Sequence, residues 1–429
     1  MENLKPYYIW LLSVMGTANP RSMRLISHFG GIKQVHEALT SGETNFLKPW
    51  EAKALNSPKS TLEKSHELIN WCEKHGYGIV TFDEPDYPDS LKHIHNPPPV
   101  LFTEGDIKGI SDEIRINVIG TRTPCEYSYK VASAVCAGLA RTGIVIVSGM
   151  AVGLDKCAMT AALENSGRVA GVLACGIDVE YPRGSKSFRK SVAESGGVCI
   201  SELMPRDSTR PAYFQYRNRI MSGLSAGTLI IEAGERSGCH ITALHAISQN
   251  RDLFCVPPHD ILDPRYSGVI RYLRDGAIPV FSHIDIINEY LSDVCERLSD
   301  NSEYESASPK NLEKKETAPA NPGKAAKSSK SSKTSNKSGV SAKSESAENN
   351  EISFKKKSPV TQAAPKVDYE QLPEEQVKII VALKKKKLTF DEIVKKKLCE
   401  PDKAYEILLD MELDGLIERV AGDTYAVIR

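Results

Sequence analysis

Two short stretches carry residues whose types and spacing suit them to hold an anion. Ser148-Gly-Met-Ala-Val-Gly-Leu-Asp155 follows the apolar run Ile144-Val-Ile-Val147 and opens a helical pattern. A buried strand passing through small residues into a helix N-terminus aims several backbone N–H groups at one spot, where a phosphate can sit. Phe214-Gln-Tyr-Arg-Asn-Arg219, preceded by Tyr213, interleaves aromatic rings with guanidinium groups. That composition suits stacking on unpaired bases and bidentate contact with phosphate. Arg217 and Arg219 stand two apart, so on a helix they cannot face one phosphate together. One is expected to grip ligand while the other pairs with a carboxylate such as Glu202 or Glu232. Arg122, directly after another apolar run, adds a third guanidinium beside the Ser148–Asp155 loop. The competing reading places Phe214 in the core and the arginines in a structural ion pair.

Nothing comparable points to breaking bonds. Ser148, Ser201 and Ser237 lie near strand ends, yet no histidine and carboxylate are tied to any of them. His240 and His245 have the spacing of paired ligands on a helix but no third partner near in sequence, so packing or capping is expected. Asp155, at a helix start, suits the helix dipole. No catalytic residue, metal or cofactor is expected.

These residues must be positioned by a larger frame. Near-continuous apolar runs at Ile114–Ile119, Ile144–Ser148, Val169–Ala174, Val198–Ser201, Thr228–Ile231, Leu253–Val256 and Ile278–Phe281 read as strands covered on both faces. Helical patterns at Tyr127–Arg141, Asp155–Asn165, Ser187–Glu194, Thr242–Gln249 and Ser267–Arg274 alternate with them. The fold class is therefore α/β, a doubly wound, Rossmann-like parallel sheet over residues 78–297. Three junctions (Val118–Pro124, Ser148–Asp155 and Leu229–Gly238) then gather on its carboxyl edge, where ligands bind.

Residues 1–77 read as a helical domain resembling sterile-alpha-motif or helix-hairpin-helix units, suited either to docking or to touching a nucleic-acid backbone. Residues 298–367 are rich in Lys and Ser with few large apolar residues, the composition of a disordered linker. In 368–429, helices at Glu374–Leu383, after the capping box Thr389-Phe-Asp-Glu392, and at Pro401–Leu413 precede a hairpin of Leu416–Val420 and Thr424–Ile428. This is the plan of a winged-helix domain. Its third helix carries Lys403 beside Glu400, Asp402, Glu406, Asp410 and Glu412, which favours a protein or self contact over reading a duplex.

Composition bounds the partners. With 429 residues, several domains are expected. The formal net charge of +0 gives no global field for a polyanion, so any nucleic-acid surface must be local. The 10 cysteines form no C-x-x-C pair, and Cys136, Cys175, Cys199 and Cys255 sit inside apolar patterns, as in a reducing cytoplasm. Tyr7–Met15 reads as a core helix rather than a signal peptide, and no membrane span is expected.

Read together, the motifs resemble the bacterial DNA-processing protein family DprA, also called Smf. Its G-x-R is Gly120-Thr-Arg122, its S-G-x-A-x-G-[IL]-D is Ser148 to Asp155, and its F-x-x-R-N-R-x-[IM]-x-G-L-S is Phe214 to Ser225. E-A-x-x-x-S-G-x-x-x-T-A is Glu232 to Ala243, V-P is Val256-Pro257, and the closing G-A is Gly276-Ala277. The resemblance implies a single-stranded DNA-binding protein that protects incoming DNA during natural transformation and loads the RecA recombinase. It also implies a cytoplasmic homodimer formed through the α/β domain. Carried over by motif, the DNA contacts are Arg122, Ser148, Gly149, Arg217, Asn218 and Arg219, with Phe214 near a base pocket. Gly153, Ser237 and Gly238 belong to the same motifs, and Lys156 is added from its position. Departures stand at Val152, where members often have a basic residue, at Met159 (histidine), at Pro258 (glycine) and at Ile270 (asparagine).

The main alternative is a nucleotide-processing, phosphoribohydrolase-like enzyme on the same fold. Its P-G-G-x-G-T loop is replaced here by Ala233-Gly-Glu-Arg-Ser-Gly-Cys-His240. A dehydrogenase would need G-x-G-x-x-G after the first strand, which is missing.

Overall fold

The computed structural model describes residues 3–235, 237–291 and 373–400, and within 401–427 residues 404, 407–408, 411, 416–420 and 424–427. The apolar runs are short and, in the central strands, β-branched and buried on both faces, and they lie in a nine-stranded sheet. Its strands are β1 (Gly78–Thr81), β2 (Val100–Gly105), β3 (Arg115–Ile119), β4 (Val145–Ser148), β5 (Val169–Val172), β6 (Val198–Ser201), β7 (Gly227–Ile230), β8 (Asp252–Cys255) and β9 (Ile278–Pro279). They are ordered β1-β2-β6-β5-β4-β3-β7-β8-β9. All seven expected strands are present, and β3 to β9 pair in parallel, for example Ile116 with Gly227 and Ile146 with Val169. The sequence reading lacked β1 and β2, which pair antiparallel with each other and, through β2, with β6.

The crossovers are α7 (Glu126–Arg141), α8 (Leu154–Glu164), α9 (Lys186–Glu194), α10 (Pro211–Leu224), α11 (Cys239–Ser248) and α12 (Ser267–Arg274); the short α6 (Asp89–Lys92) lies between β1 and β2, and α13 (His283–Glu289) follows β9. One face buries Ala132, Leu139, Ala158 and Ala162 of α7 and α8 against Ile116, Val118 and Ile146. The other buries Ile220, Met221 and Leu224 of α10 and Ala243 of α11 against Val145, Val147 and Ile230. From β3 the chain winds outward through β4, β5 and β6, then crosses back to place β7 on the other flank of β3. Strand order reverses there, which opens a crevice beyond the carboxyl ends of β3 and β7.

The N-terminal unit is five helices, α1 (Lys5–Met15), α2 (Arg21–Phe29), α3 (Ile32–Ser41), α4 (Pro49–Leu55) and α5 (Leu62–Lys74). Tyr7–Met15 is the expected core helix. The core does not stop at residue 78: Tyr8, Trp10, Leu11 and Val14 belong to the same apolar cluster as Phe102 and Ile146. Polar ties cross the same boundary. The Tyr8 hydroxyl donates to Asp83 (2.6 Å), and the Thr17 hydroxyl donates to Asp207 (2.9 Å).

The C-terminal unit contains α14 (Glu374–Lys385), β10 (Leu388–Thr389), α15 (Phe390–Lys395), β11 (Ile417–Val420) and β12 (Thr424–Val427). The capping box closes as expected: Glu392 N–H donates to the Thr389 hydroxyl at 3.2 Å, and Thr389 N–H donates to the Glu392 carboxylate at 3.0 Å. The hairpin of β11 and β12 pairs antiparallel, and β10 adds a third strand. Most of the expected third helix, its terminating Gly415, the Gly422-Asp423 turn and the 298–367 linker lie outside the described residues. Cys136, Cys175, Cys199 and Cys255 are buried, and all nine described cysteines are free. Among the described residues, no helix is long and apolar enough to cross a membrane.

Candidate functional site

The crevice at the strand-order reversal is a cleft of about 670 Å³. One wall is the turn after β3, Gly120 to Arg122. The facing wall is α10, with Phe214, Gln215, Arg217 and Asn218, and the N-terminus of α11 contributes Ser237, Gly238 and Cys239. Helix α10 starts here because Pro211 occupies its first turn, where a missing N–H costs nothing.

The Arg122 turn is held by close backbone packing. Gly153 sits at φ +88°, and a Cβ there would come within 2.5 Å of the Thr121 carbonyl. Leu154 N–H then donates to that same carbonyl at 3.1 Å. Gly153 therefore serves as the hinge that lets α8 abut the Arg122 turn. Arg122 itself is exposed and makes no ion pair among the described residues. Its guanidinium carbon lies 5.8 Å from the centroid of the Phe214 ring, and that ring meets Tyr181 edge-on at 5.5 Å. Phe214 is half-buried at the rim rather than in the core.

Arg217 and Arg219 point different ways, as their spacing requires. Arg217 is buried, and its Nη1 donates to the carbonyls of Gly149 (2.6 Å) and Val172 (2.5 Å). Gly149 is required beneath it, because a Cβ would approach Nη1 to 2.4 Å. Burial brings the Arg217 pKa down to about 10 against the opposing pull of Asp155, so the group remains a cation at neutral pH. Its Nη2 has no hydrogen-bond partner among the described residues, and Arg217 lines the cleft. Arg219 pairs with Glu202 at 2.6 Å, both side chains being less than a tenth exposed, and it does not line the cleft. Burial raises the Glu202 pKa, and Arg219 opposes the rise. Of the two carboxylates left open by the sequence, Glu202 is thus the partner, while Glu232 accepts from Cys125 N–H at 3.1 Å.

The loop after β4 differs from the expected phosphate cradle. Asp155 folds back so that its Oδ2 accepts from the N–H groups of Gly149 (3.2 Å) and Ala151 (3.4 Å). The protein's own carboxylate therefore occupies amides that a phosphate would need. Burial pushes the Asp155 pKa up to about 6, with Arg217 pulling the other way. The Ser148 hydroxyl is also committed, fully buried and donating to the Val118 carbonyl at 2.7 Å.

The remaining expected residues divide. Asn218, Ser237 and Gly238 line the cleft, although the Ser237 hydroxyl also accepts from Cys239 N–H at 3.2 Å. Lys156 is exposed on α8, with its ammonium 5.9 Å from the Phe188 ring centroid, and is not part of the lining. His240 spans the Tyr272 hydroxyl (2.8 Å) and the Gly234 carbonyl (3.0 Å). His245 is buried, which drives its pKa down to about 3. Both histidines thus have packing roles. The Cys239 thiol, though in the lining, is pushed up to about 11 by burial and is not a ready nucleophile. Sequence reasoning missed Tyr181, Thr121 and Gln215. Tyr181 carried a usable signal, an aromatic residue before Pro182 in a polar loop beyond a buried strand.

Residues 78–291 match the family model for DNA recombination-mediator protein A, and residues 363–423 match that for the DprA winged helix domain. The DNA processing protein DprA of Bacillus subtilis is 36% identical over 214 residues, covering 50% of this chain and 71% of that protein. The Smf protein of Escherichia coli K12 is 33% identical over 282 residues, or 65% and 74%. The X-ray structure of DNA processing protein A from Streptococcus pneumoniae superposes with a TM-score of 0.54 at 26% identity, covering 67% of this chain and 99% of that one. With the motifs, the sheet and the relatives in agreement, this chain belongs to the DNA recombination-mediator protein A family, that of the DprA and Smf proteins.

Proposed function

We propose that the cleft binds single-stranded DNA and breaks no covalent bond, and that the protein is a cytoplasmic recombination mediator that protects incoming strands and hands them to RecA. The observation that carries this reading is the exposed Arg122 guanidinium over Phe214 beside Tyr181, at the mouth of a cleft holding a second cation, Arg217. Arginine planes and aromatic rings stack unpaired bases without regard to sequence, while the guanidinium charge holds the backbone. A hydrolase would need a free acid or base at this point. Asp155, the carboxylate in the lining, is instead tied to two backbone amides. RecA loading and homodimer formation follow from the family resemblance and belong to the same proposal.

The test is a gel-shift titration of single-strand, duplex and free nucleotide at two salt concentrations. Arg122→Ala is expected to weaken single-strand binding about tenfold and to lower the salt slope by about 0.7, the share of one phosphate contact on a single strand. Unchanged affinity in a folded Arg122→Ala protein overturns the cleft assignment. Release of free base from a nucleotide incubated with the protein would establish the phosphoribohydrolase reading instead. Stimulation of RecA strand exchange on coated DNA, and mass by sedimentation, test the mediator and dimer parts.

A further inference from the structure

We propose that the nucleic-acid path does not end at the cleft but continues along the carboxyl edge of the sheet, over Tyr213 and Arg210, to Arg206 and Trp71. The N-terminal helical unit then forms the far end of a composite single-strand track. This inference rests on the single-strand reading of the cleft.

The first observation is where the cation–ring contacts fall. Five occur among the described residues, an ordinary number for a chain of this length, so the count alone carries nothing. Their placement does. Four lie at the carboxyl edge, and three of these follow one another away from the cleft: Arg122 with Phe214 (5.8 Å), Arg210 with Tyr213 (5.5 Å) and Arg206 with Trp71 (5.3 Å). Tyr213 and Phe214 are neighbours on α10, and Arg206 and Arg210 share the loop after β6. Since β6 lies three strands from β3 in the sheet, the carboxyl ends of those two strands stand about 14 Å apart. That is room for a few further nucleotides.

The second observation concerns charge. The loops beyond β5 and β6 also hold Asp178, Glu180 and Asp207, which would hold the arginines closed if they paired with them directly. Each accepts a hydrogen bond from within the fold and none forms a salt bridge with Arg206 or Arg210 among the described residues, although Glu180 is exposed and Arg210 acts on Asp207 through space. Asp178 accepts from Arg206 N–H (2.6 Å), Glu180 accepts from Gly184 N–H (2.9 Å), and Asp207 accepts from the Thr17 hydroxyl (2.9 Å). Arg206 and Arg210 are exposed and make no ion pair among the described residues. The edge therefore carries outward cations backed by rings beside carboxylates that are oriented by other donors, and the cation–ring pairs are the composition that grips an unpaired polynucleotide.

The third is continuity. Thr17, in the turn between α1 and α2, and Trp71, on α5, come from the N-terminal unit, and Ala18 packs with Leu203 and Tyr216. The helical unit is therefore fixed at the end of the run rather than tethered near it. Bases leaving the cleft have a rigid surface to meet.

The experiment compares an oligonucleotide of about 5 nucleotides, short enough for the cleft alone, with one of about 30. The full-length Arg206→Ala/Arg210→Ala protein is expected to bind the long strand about tenfold more weakly, with the salt slope lowered by about 1.4, and to bind the short strand within twofold of the parent. Tyr213→Ser, which removes a ring without touching charge, is expected to weaken the long strand and leave the slope alone. Circular dichroism and thermal melts confirm folding. If both variants bind the long strand like the parent while Arg122→Ala loses binding of both lengths, the track is refuted and the cleft stands. If Arg122→Ala loses neither, the cleft reading falls and takes the track with it. Equal losses on both lengths also refute an extension, since they place the arginines within the cleft's own contact.

Discussion

The two walls of the cleft use the same residue type in opposite ways. On α10, arginine is inside: Arg219 is closed into a pair with Glu202, and Arg217 is spent in part on two strand-end carbonyls. On the turn after β3, Arg122 stands in solvent over an aromatic ring. The α10 arginines are the more conspicuous in sequence, yet one of them holds the wall in place and the other only lends the cleft part of its charge. The single arginine of the turn is the one left exposed at the cleft. A dense motif can thus mark the part of a cleft that must not move, while an exposed cation sits alone on a short turn.

The largest expected effect tests the buried side of this contrast. Arg219→Ala leaves the Glu202 carboxylate without a partner in a dry setting and should cost about 3–5 kcal/mol in urea unfolding. Replacing both partners, Arg219→Met with Glu202→Leu, should recover most of that loss, because the pair's own attraction is largely cancelled by desolvation. If Arg219→Ala instead keeps parental stability and loses DNA, the residue belongs with Arg122 and the contrast collapses.

Asp155 tests whether that wall is electrostatically closed. Its carboxyl is raised from 3.8 to about 6 in the folded protein, mainly by burial. Between those values the folded chain keeps a proton that the unfolded chain releases. This contribution is therefore fully present below about pH 4 and is lost as the pH rises through about 6, a span worth about 3 kcal/mol. Asp155→Asn should flatten that decline in a series of urea midpoints from pH 4 to 7. An unaltered slope in the variant would show that Asp155 does not carry it.

How much of this was legible beforehand follows from range. The parallel strands and most of their helices were readable, because burial on both faces writes an unbroken apolar run. β1 and β2 were not, since they are antiparallel additions outside the alternating strand–helix pattern, and the pairing of β2 with β6 is settled by contacts about a hundred residues away. The three guanidiniums were identified, and their differing roles were partly foreseen from the two-residue spacing. The occupied amides of the Ser148–Asp155 loop were not foreseen. A carboxylate six residues on can follow the helix dipole or fold back on the loop, and only the turn at Gly153 decides which. The separate 1–77 domain came from a change of pattern at residue 78, which records where strands begin and says nothing about where the core ends.

A smaller effect sharpens the other wall. Gly153→Ala forces a side chain into a left-handed backbone and against the Thr121 carbonyl, at a cost of about 1–3 kcal/mol. Because that contact seats the Arg122 turn, single-strand affinity should fall along with stability. A melt that shifts with no change in affinity would mean that the turn holds its place without α8.

The smallest effect isolates what Arg122 supplies. Being exposed and unpaired among the described residues, it should be replaceable with stability unchanged to within about 0.5 kcal/mol. Arg122→Lys keeps the charge and discards the plane. If the guanidinium acts only on phosphate, the lysine variant should match the parent in both affinity and salt slope. If it also stacks, as its position over Phe214 argues, affinity should fall a few-fold while the slope stays constant, since no counterion contact has been removed. The separation between those two readouts, measured on one oligonucleotide at two salt concentrations, distinguishes a stacking surface from a simple cation.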